Sequence, residues 1–252
     1  EYLLDQFPAI NGNRYSYGPQ SKFGRLLFKL GLRLGLIYSK LLPLHLRLVI
    51  TENEPQSYQA EVHRTHYITD PYFIGYWASY RYYQDIATEL RKELKPPIPT
   101  DPTVLDLLSQ IQAVHSCFIH WRSYKEERGV KHPKLYSYYD DAIDIMSKKY
   151  PNLAFFIFSD DPIAARSEIP SSARQMTYVD LPAAKGNLQS LADFYLMYSC
   201  DHAIIGDSTF SWWAAWLSDQ ENKTIIAPKG LSPWGDDWLP PHWLTLNVSR
   251  KE

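Results

Sequence analysis

Residues 207 to 216 read Asp207-Ser208-Thr209-Phe210-Ser211-Trp212-Trp213-Ala214-Ala215-Trp216 and follow the apolar run His202-Ala203-Ile204-Ile205-Gly206. The run has the character of a buried strand. Asp207, Ser208 and Thr209 are all residue types that cap a helix N-terminus. A strand turning straight into a helix aims free backbone N–H groups and a positive dipole end at one point, which suits a phosphate. A capped core helix with tryptophans as packing fits the same local pattern. Two more polar clusters follow apolar runs: His120-Trp121-Arg122, and Ser159-Asp160-Asp161-Pro162. The guanidinium of Arg122 offers a planar fork for phosphate oxygens. A carboxylate of Asp160 or Asp161 accepts paired N–H donors such as those of a guanine. Each also has a plainer reading: a surface ion pair for Arg122, and an N-cap of the helix opened by Pro162 for one of the two aspartates. Taken together, the clusters point to a diphosphate nucleotide site drawn from Arg122, Ser159, Asp160, Asp161, Asp207, Ser208, Thr209, Phe210 and Ser211.

What must position these residues is a regular alternation of elements. Strand-like runs fall at 113–120, 153–158, 176–179, 203–206 and 224–227. Helix-like patterns fall at 134–149, 162–168, 187–200 and 208–217. Near-continuous apolar strands separated by helices predict a doubly wound parallel sheet, an α/β fold. In such a sheet, ligands bind outside the carboxyl ends of the strands, where all three clusters fall.

Composition narrows the function. The chain has 252 residues, 45% hydrophobic and 21% charged, enough to bury a core. Its net charge of −2 argues against a nucleic-acid partner. Aromatics reach 15%, which fits a sugar-facing surface as well as a core. The two cysteines, Cys117 and Cys200, sit in apolar runs and read as buried free thiols. No Cys/His cluster has zinc spacing, and no run reaches the length of a transmembrane span. The prolines 96, 97, 99 and 102 mark a linker. They divide the chain into an N-terminal, partly helical acceptor-side domain over 1–100 and a donor-nucleotide domain over 101–252. Lys22, Arg25, Lys29, Arg33 and Lys40 share one helical stripe over 21–42, beside a stripe of Phe23, Leu26, Leu30, Leu34, Ile37 and Leu41. Such a basic amphipathic helix suits peripheral contact with an anionic membrane, or a core helix with a solvated basic face.

The motifs resemble those of the α-1,2-fucosyltransferases of glycosyltransferase family 11. That family carries His-x-Arg-Arg-Gly-Asp, Phe-Ser-Asp-Asp and Asn-Ser-Thr-Phe-Ser-Trp-Trp-(Ala/Gly)-Ala. The matching residues here are His120-Trp121-Arg122, Phe158-Ser159-Asp160-Asp161 and Ser208 to Ala215. Gly75 to Tyr83, Leu196 to Cys200 and Ile226-Ala227-Pro228 echo three further signatures. The resemblance implies a GT-B-like architecture of two Rossmann-type domains, GDP-fucose as co-substrate, a glycan or glycolipid acceptor, inversion at the anomeric carbon, and neither cofactor nor required metal. It implies the cytoplasm or membrane periphery for a bacterial source, and the Golgi lumen for a eukaryotic one.

Three departures stand out. Ser123-Tyr124-Lys125 replaces the family's Arg-Gly-Asp, Asp207 replaces an Asn, and the family's opening Gly-rich strand–turn is missing, so the N-terminal domain reads as truncated. With the family acid gone, the candidates for the catalytic base are Glu126 and Glu127 on the same loop, and His120, beside Arg122 as stabiliser of the departing diphosphate. A related GDP-sugar transferase of other linkage and a catalytically silent nucleotide-sugar or glycan binder are the alternatives.

Overall fold

The structure is a computed structural model and describes residues 30–37, 41–53, 57–68, 70–123, 136–169, 175–181, 187–218, 220–230 and 236–248. The chain packs as two units, one of residues 1–10, 86–233 and 240–252, the other of residues 11–85 and 234–239. The proline-rich segment and the helix before it thus belong with the larger unit, where the sequence suggested a division at residue 100.

The larger unit is built on six parallel strands: β3 (Ser116–Trp121), β4 (Ala154–Ser159), β5 (Met176–Tyr178), β6 (His202–Ile204), β7 (Ile225–Lys229) and β8 (Leu244–Asn247). Their order in the sheet is β5-β4-β3-β6-β7-β8. The chain starts in the middle, winds outward to β5, then returns to the other side of β3. This is the doubly wound arrangement expected, with its switch point between β3 and β6. Five successive residues of β3 and five of β4 are buried, as strands covered on both faces require.

The helices of this unit are α2 (Ala87–Glu93), α3 (Pro102–Gln112), α4 (Tyr136–Lys149), α5 (Pro162–Glu168), α6 (Asn187–Ser199) and α7 (Thr209–Leu217). Asp101 caps α3 by accepting the Thr103 and Val104 amides, with Pro102 in the first turn. The buried residues Val104, Leu108 and Ile111 then fall at helical spacing. The sequence suggested a strand from 113. Instead α3 runs to Gln112, and β3 starts at Ser116.

One face of the sheet packs Cys117, Ile119, Phe155 and Ile157 against Tyr138, Tyr139, Ala142, Ile143 and Met146 of α4 and Ala165 of α5. The Tyr138 hydroxyl lies 2.6 Å from the Ile205 carbonyl and 3.0 Å from that of Ile226, tying two neighbouring strands together. Cys117 and Cys200 are both buried and free. Burial pushes the Cys200 thiol up to about 12, so it stays protonated.

The smaller unit holds β1 (Val49–Thr51) and β2 (Tyr72–Ile74), paired in parallel, and α1 (Ala60–Arg64). Glu52 follows β1 and accepts the amides of Tyr76 (2.6 Å) and Trp77 (3.1 Å). Trp77 sits at φ 50, and a Cβ on Gly75 would lie 2.4 Å from the Glu52 Cβ, so only glycine fits there. Asp237 accepts from the Tyr58 amide and the Ser79 hydroxyl. The Gly75–Tyr83 signature is thus an aromatic turn held by two carboxylates.

Residues 30–37 are helical, and Leu30, Leu34 and Ile37 of this stretch are exposed. Lys22, Arg25, Lys29 and Lys40 of the basic stripe lie outside the described residues. No helix among the described residues is long and apolar enough to cross a membrane.

Candidate active site

Strand register brings the three polar clusters to one edge. Trp121 pairs with Ser159, so Arg122 and Asp160 leave the sheet side by side. Ile119 pairs with Ile204, so His120 and Trp121 come level with Ile205 and Gly206. At Gly206 the chain passes so close to β3 that a Cβ would lie 3.0 Å from both the His120 carbonyl and the Tyr139 hydroxyl. Glycine permits this approach, and α7 then starts within three residues.

The start of α7 differs from what its sequence suggests. Ser208 occupies the N-cap position, but its hydroxyl makes no capping hydrogen bond. Its carbonyl accepts the Trp212 amide, the first bond of the helix, and the Ser211 hydroxyl. The Thr209, Phe210 and Ser211 amides therefore start the helix without a side-chain cap. They are the groups that an anion at this end meets. Ser208 and Ser211 are buried, Phe210 half-buried and Thr209 exposed; Asp207 is half-buried and has a partner of its own.

Across the switch point, the Arg122 Nε lies 3.9 Å from the Asp160 carboxylate, with side-chain exposures of 40% and 46%. That is a loose, solvated pairing of little energetic weight. Asp160 is better held by Ser123, whose amide (2.8 Å) and hydroxyl (3.1 Å) both donate to it. Asp161 takes the structural role: it caps α5 by accepting the Ala164 amide at 3.1 Å. Ser159 supports it, its hydroxyl accepting the Asp161 amide at 2.9 Å. Only Asp160 of the pair therefore remains at the open edge.

His120 is 6% exposed, and its Nδ1 has no partner among the described residues. Burial lowers its pKa to about 4, with Asp160 opposing and Arg122 assisting, so the ring is neutral near pH 7. It packs against Phe210, and Phe210 against Phe194 of α6. Glu126 and Glu127 lie outside the described residues. No group of three or more His, Cys, Asp or Glu side chains among the described residues can hold a metal ion.

Sequence reasoning missed Asp193. It lies on α6 one residue before Phe194, and burial raises its carboxyl to about 7. The signal was present, because an acid stands inside the apolar run Leu191-Ala192-Asp193-Phe194. A desolvated carboxyl is a common mark of a functional group.

The family model described as glycosyl transferase family 11 matches residues 63–233. An alpha-1,2-colitosyltransferase of Escherichia coli is 32% identical over 189 residues, covering 69% of this chain and 62% of that protein. A galactoside 2-alpha-L-fucosyltransferase of Caenorhabditis elegans is 27% identical over 191 residues, covering 69% of this chain and 52% of that protein. The chain thus spans between about half and about six-tenths of the length of these curated relatives. Among solved structures, an Arabidopsis thaliana FUT1 mutant in complex with GDP aligns with 80% of this chain and 55% of its own, at 13% identity and a TM-score of 0.42.

Proposed function

Because the chain belongs to glycosyl transferase family 11, we propose that it transfers L-fucose from GDP-fucose to the 2-hydroxyl of a galactoside-like acceptor, with inversion. The observation that carries this reading is the start of α7, which Ser208 does not cap, at the same sheet edge from which Arg122 leaves the neighbouring strand β3. The Arg122 fork and the α7 amides take up the charge that develops on GDP. His120, buried against Phe210, lies beside them, and Asp160 accepts the N–H donors of the guanine.

The acceptor hydroxyl loses its proton to Glu126 or Glu127, with His120 as the alternative base. A ring that protonates only near pH 4 is a weak acceptor, which favours the glutamates. The transfer needs no metal: Asp161 is committed to its helix, so the Asp160-Asp161 pair is not a free chelate. Activity that survives excess chelator agrees with this, and a strict Mn²⁺ requirement overturns it.

Incubation with GDP-fucose and a panel of galactosides, followed by linkage analysis, tests the whole reading. A fucosyl-α-1,2-galactoside is the expected product. A second donor is carried by a specific observation: the Escherichia coli relative is named for colitosyl transfer with the same α-1,2 linkage. A colitosyl donor therefore belongs in the panel. Binding of GDP-sugar with neither transfer nor hydrolysis would make the chain a silent binder.

The exposed Leu30, Leu34, Ile37 and Leu41 support peripheral contact with an anionic membrane, where lipid-linked acceptors lie. Liposome sedimentation that ignores both salt and anionic lipid would rule this contact out.

A further inference from the structure

The larger unit holds a concave site at the far end of α7. It is a cleft of about 340 Å³, walled by Arg91, Trp216, Ser218, Asn222, Lys223 and His242. The last turn of α7 and the turn into β7 form it, at the amino edge of the sheet. The nine residues of α7 separate it from the candidate active site by about 13 Å.

One group in this cleft lacks the partner its burial calls for, and a second is held with donors to spare. Ser218 is 8% exposed, and its hydroxyl has no hydrogen-bond partner among the described residues. A buried, unsatisfied hydroxyl is rare in folded proteins and calls for a ligand or a water. Arg91 donates through Nε to the Trp216 carbonyl at 3.2 Å, and its guanidinium lies 5.0 Å above the Trp216 ring. Its two terminal nitrogens have no partner among the described residues, so the fork is fixed in place with donors to spare.

The rest of the wall is also rich in donors. Lys223 donates to the Cys200 carbonyl at 2.8 Å and adds positive charge. Asn222, held at φ 61, the exposed His242 and Gln220 add further polar groups, beside the apolar Ala215, Ile225 and Trp243. The lining includes no carboxylate; Glu221 of the same turn is exposed and not part of it, and Asp219 lies outside the described residues. Such a surface fits a ligand rich in acceptors. The volume sits at the low end for small-molecule sites, so the ligand is the size of one sugar rather than a nucleotide-sugar.

From these observations we infer that the cleft binds a single sugar unit bearing an oxyanion, either a carboxylate or a phosphate. The site is separate from the donor edge and does not depend on the transfer reading. Calorimetric titration of the full chain, with GDP present throughout, tests it. The probes are glucuronate, glucose 6-phosphate, glucose and inorganic phosphate.

Saturable binding of glucuronate or glucose 6-phosphate below about 10 mM is expected, with glucose and inorganic phosphate each weaker by about tenfold. The tighter of the first two identifies the oxyanion. Arg91→Gln should weaken binding about tenfold and Ser218→Ala about threefold, with the melting temperature kept in at least one of them. Three results overturn the inference: no binding by either sugar anion; equal binding of glucose or of bare phosphate; or undiminished binding in both variants.

Discussion

The two edges of the six-stranded sheet use polar residues in opposite ways. Between the amino ends of β3, β6 and β7, polar groups close on one another. Asp201 accepts the Ser116 amide at 2.8 Å and its hydroxyl at 3.0 Å. His202 accepts the Thr224 amide through Nδ1, so its Nε2 donates to His115 at 2.8 Å. Tyr150 stacks on His202 and bonds Thr224, which also receives Lys149. At the carboxyl edge two groups have no such partner among the described residues: the start of α7, which Ser208 does not cap, and the Nδ1 of His120. A closed network stabilises the fold, whereas open groups are available to a ligand.

Substitutions at the two edges should therefore separate affinity from stability. The largest effect is expected at Arg122. Its replacement by Ala should cost about 2–5 kcal/mol in GDP binding by calorimetry, with little change in melting temperature. Arg122→Lys should recover only part, because an ammonium lacks the fork. Asp201→Ala should do the reverse, lowering stability while leaving GDP affinity as it was.

Acid sharpens the comparison. His202 at the closed edge and His120 at the open one both have their pKa lowered to about 4, mainly by burial. An unfolded histidine protonates near 6.5, so the neutral rings contribute stability that is full above that pH. It drains away as pH falls from 6.5 toward 4. Each should account for about 2–3 kcal/mol across that window. Denaturant unfolding over the same range should show the loss, and His202→Gln should remove about half of it.

Asp193 should run the other way. Its carboxyl, raised to about 7, is held protonated, so its contribution is complete in acid and lost as pH rises through 7. Asp193→Asn should stabilise the protein by about 1 kcal/mol above pH 7. The smallest effects concern the two helix starts. Asp161→Ala should cost about 1 kcal/mol, because it removes a real cap. Ser208→Ala should stay within about 0.5 kcal/mol, because its hydroxyl caps nothing.

Much of the larger unit was legible in the sequence. Apolar runs fully buried in a parallel sheet announce themselves, and α5 falls where Asp161-Pro162 placed it. β8 was missed because Leu244–Asn247 lies at the sheet margin, mostly exposed and without an apolar run. Both strands of the smaller unit have only three residues, too few for a period to show. At the site, the sequence located all three clusters but could not apportion their hydrogen bonds. Whether Asp160 or Asp161 caps a helix, and whether Ser208 caps at all, depends on rotamers and backbone angles rather than residue type. Asp193 escaped because an acid on a helix is ordinary until its burial is known.

The indoles of α7 give the molecule a built-in optical reporter. Trp212 and Trp216 lie nearly parallel, 12° apart with centroids at 5.7 Å, and Trp213 and Trp243 pack around them. Transition dipoles this close couple, so the far-ultraviolet circular dichroism, where the intense indole band lies, should carry an exciton couplet set by their mutual angles. The helix that presents its amides to the donor edge also carries these chromophores. A ligand seated there that turns the helix even slightly would be read without label or substrate chemistry.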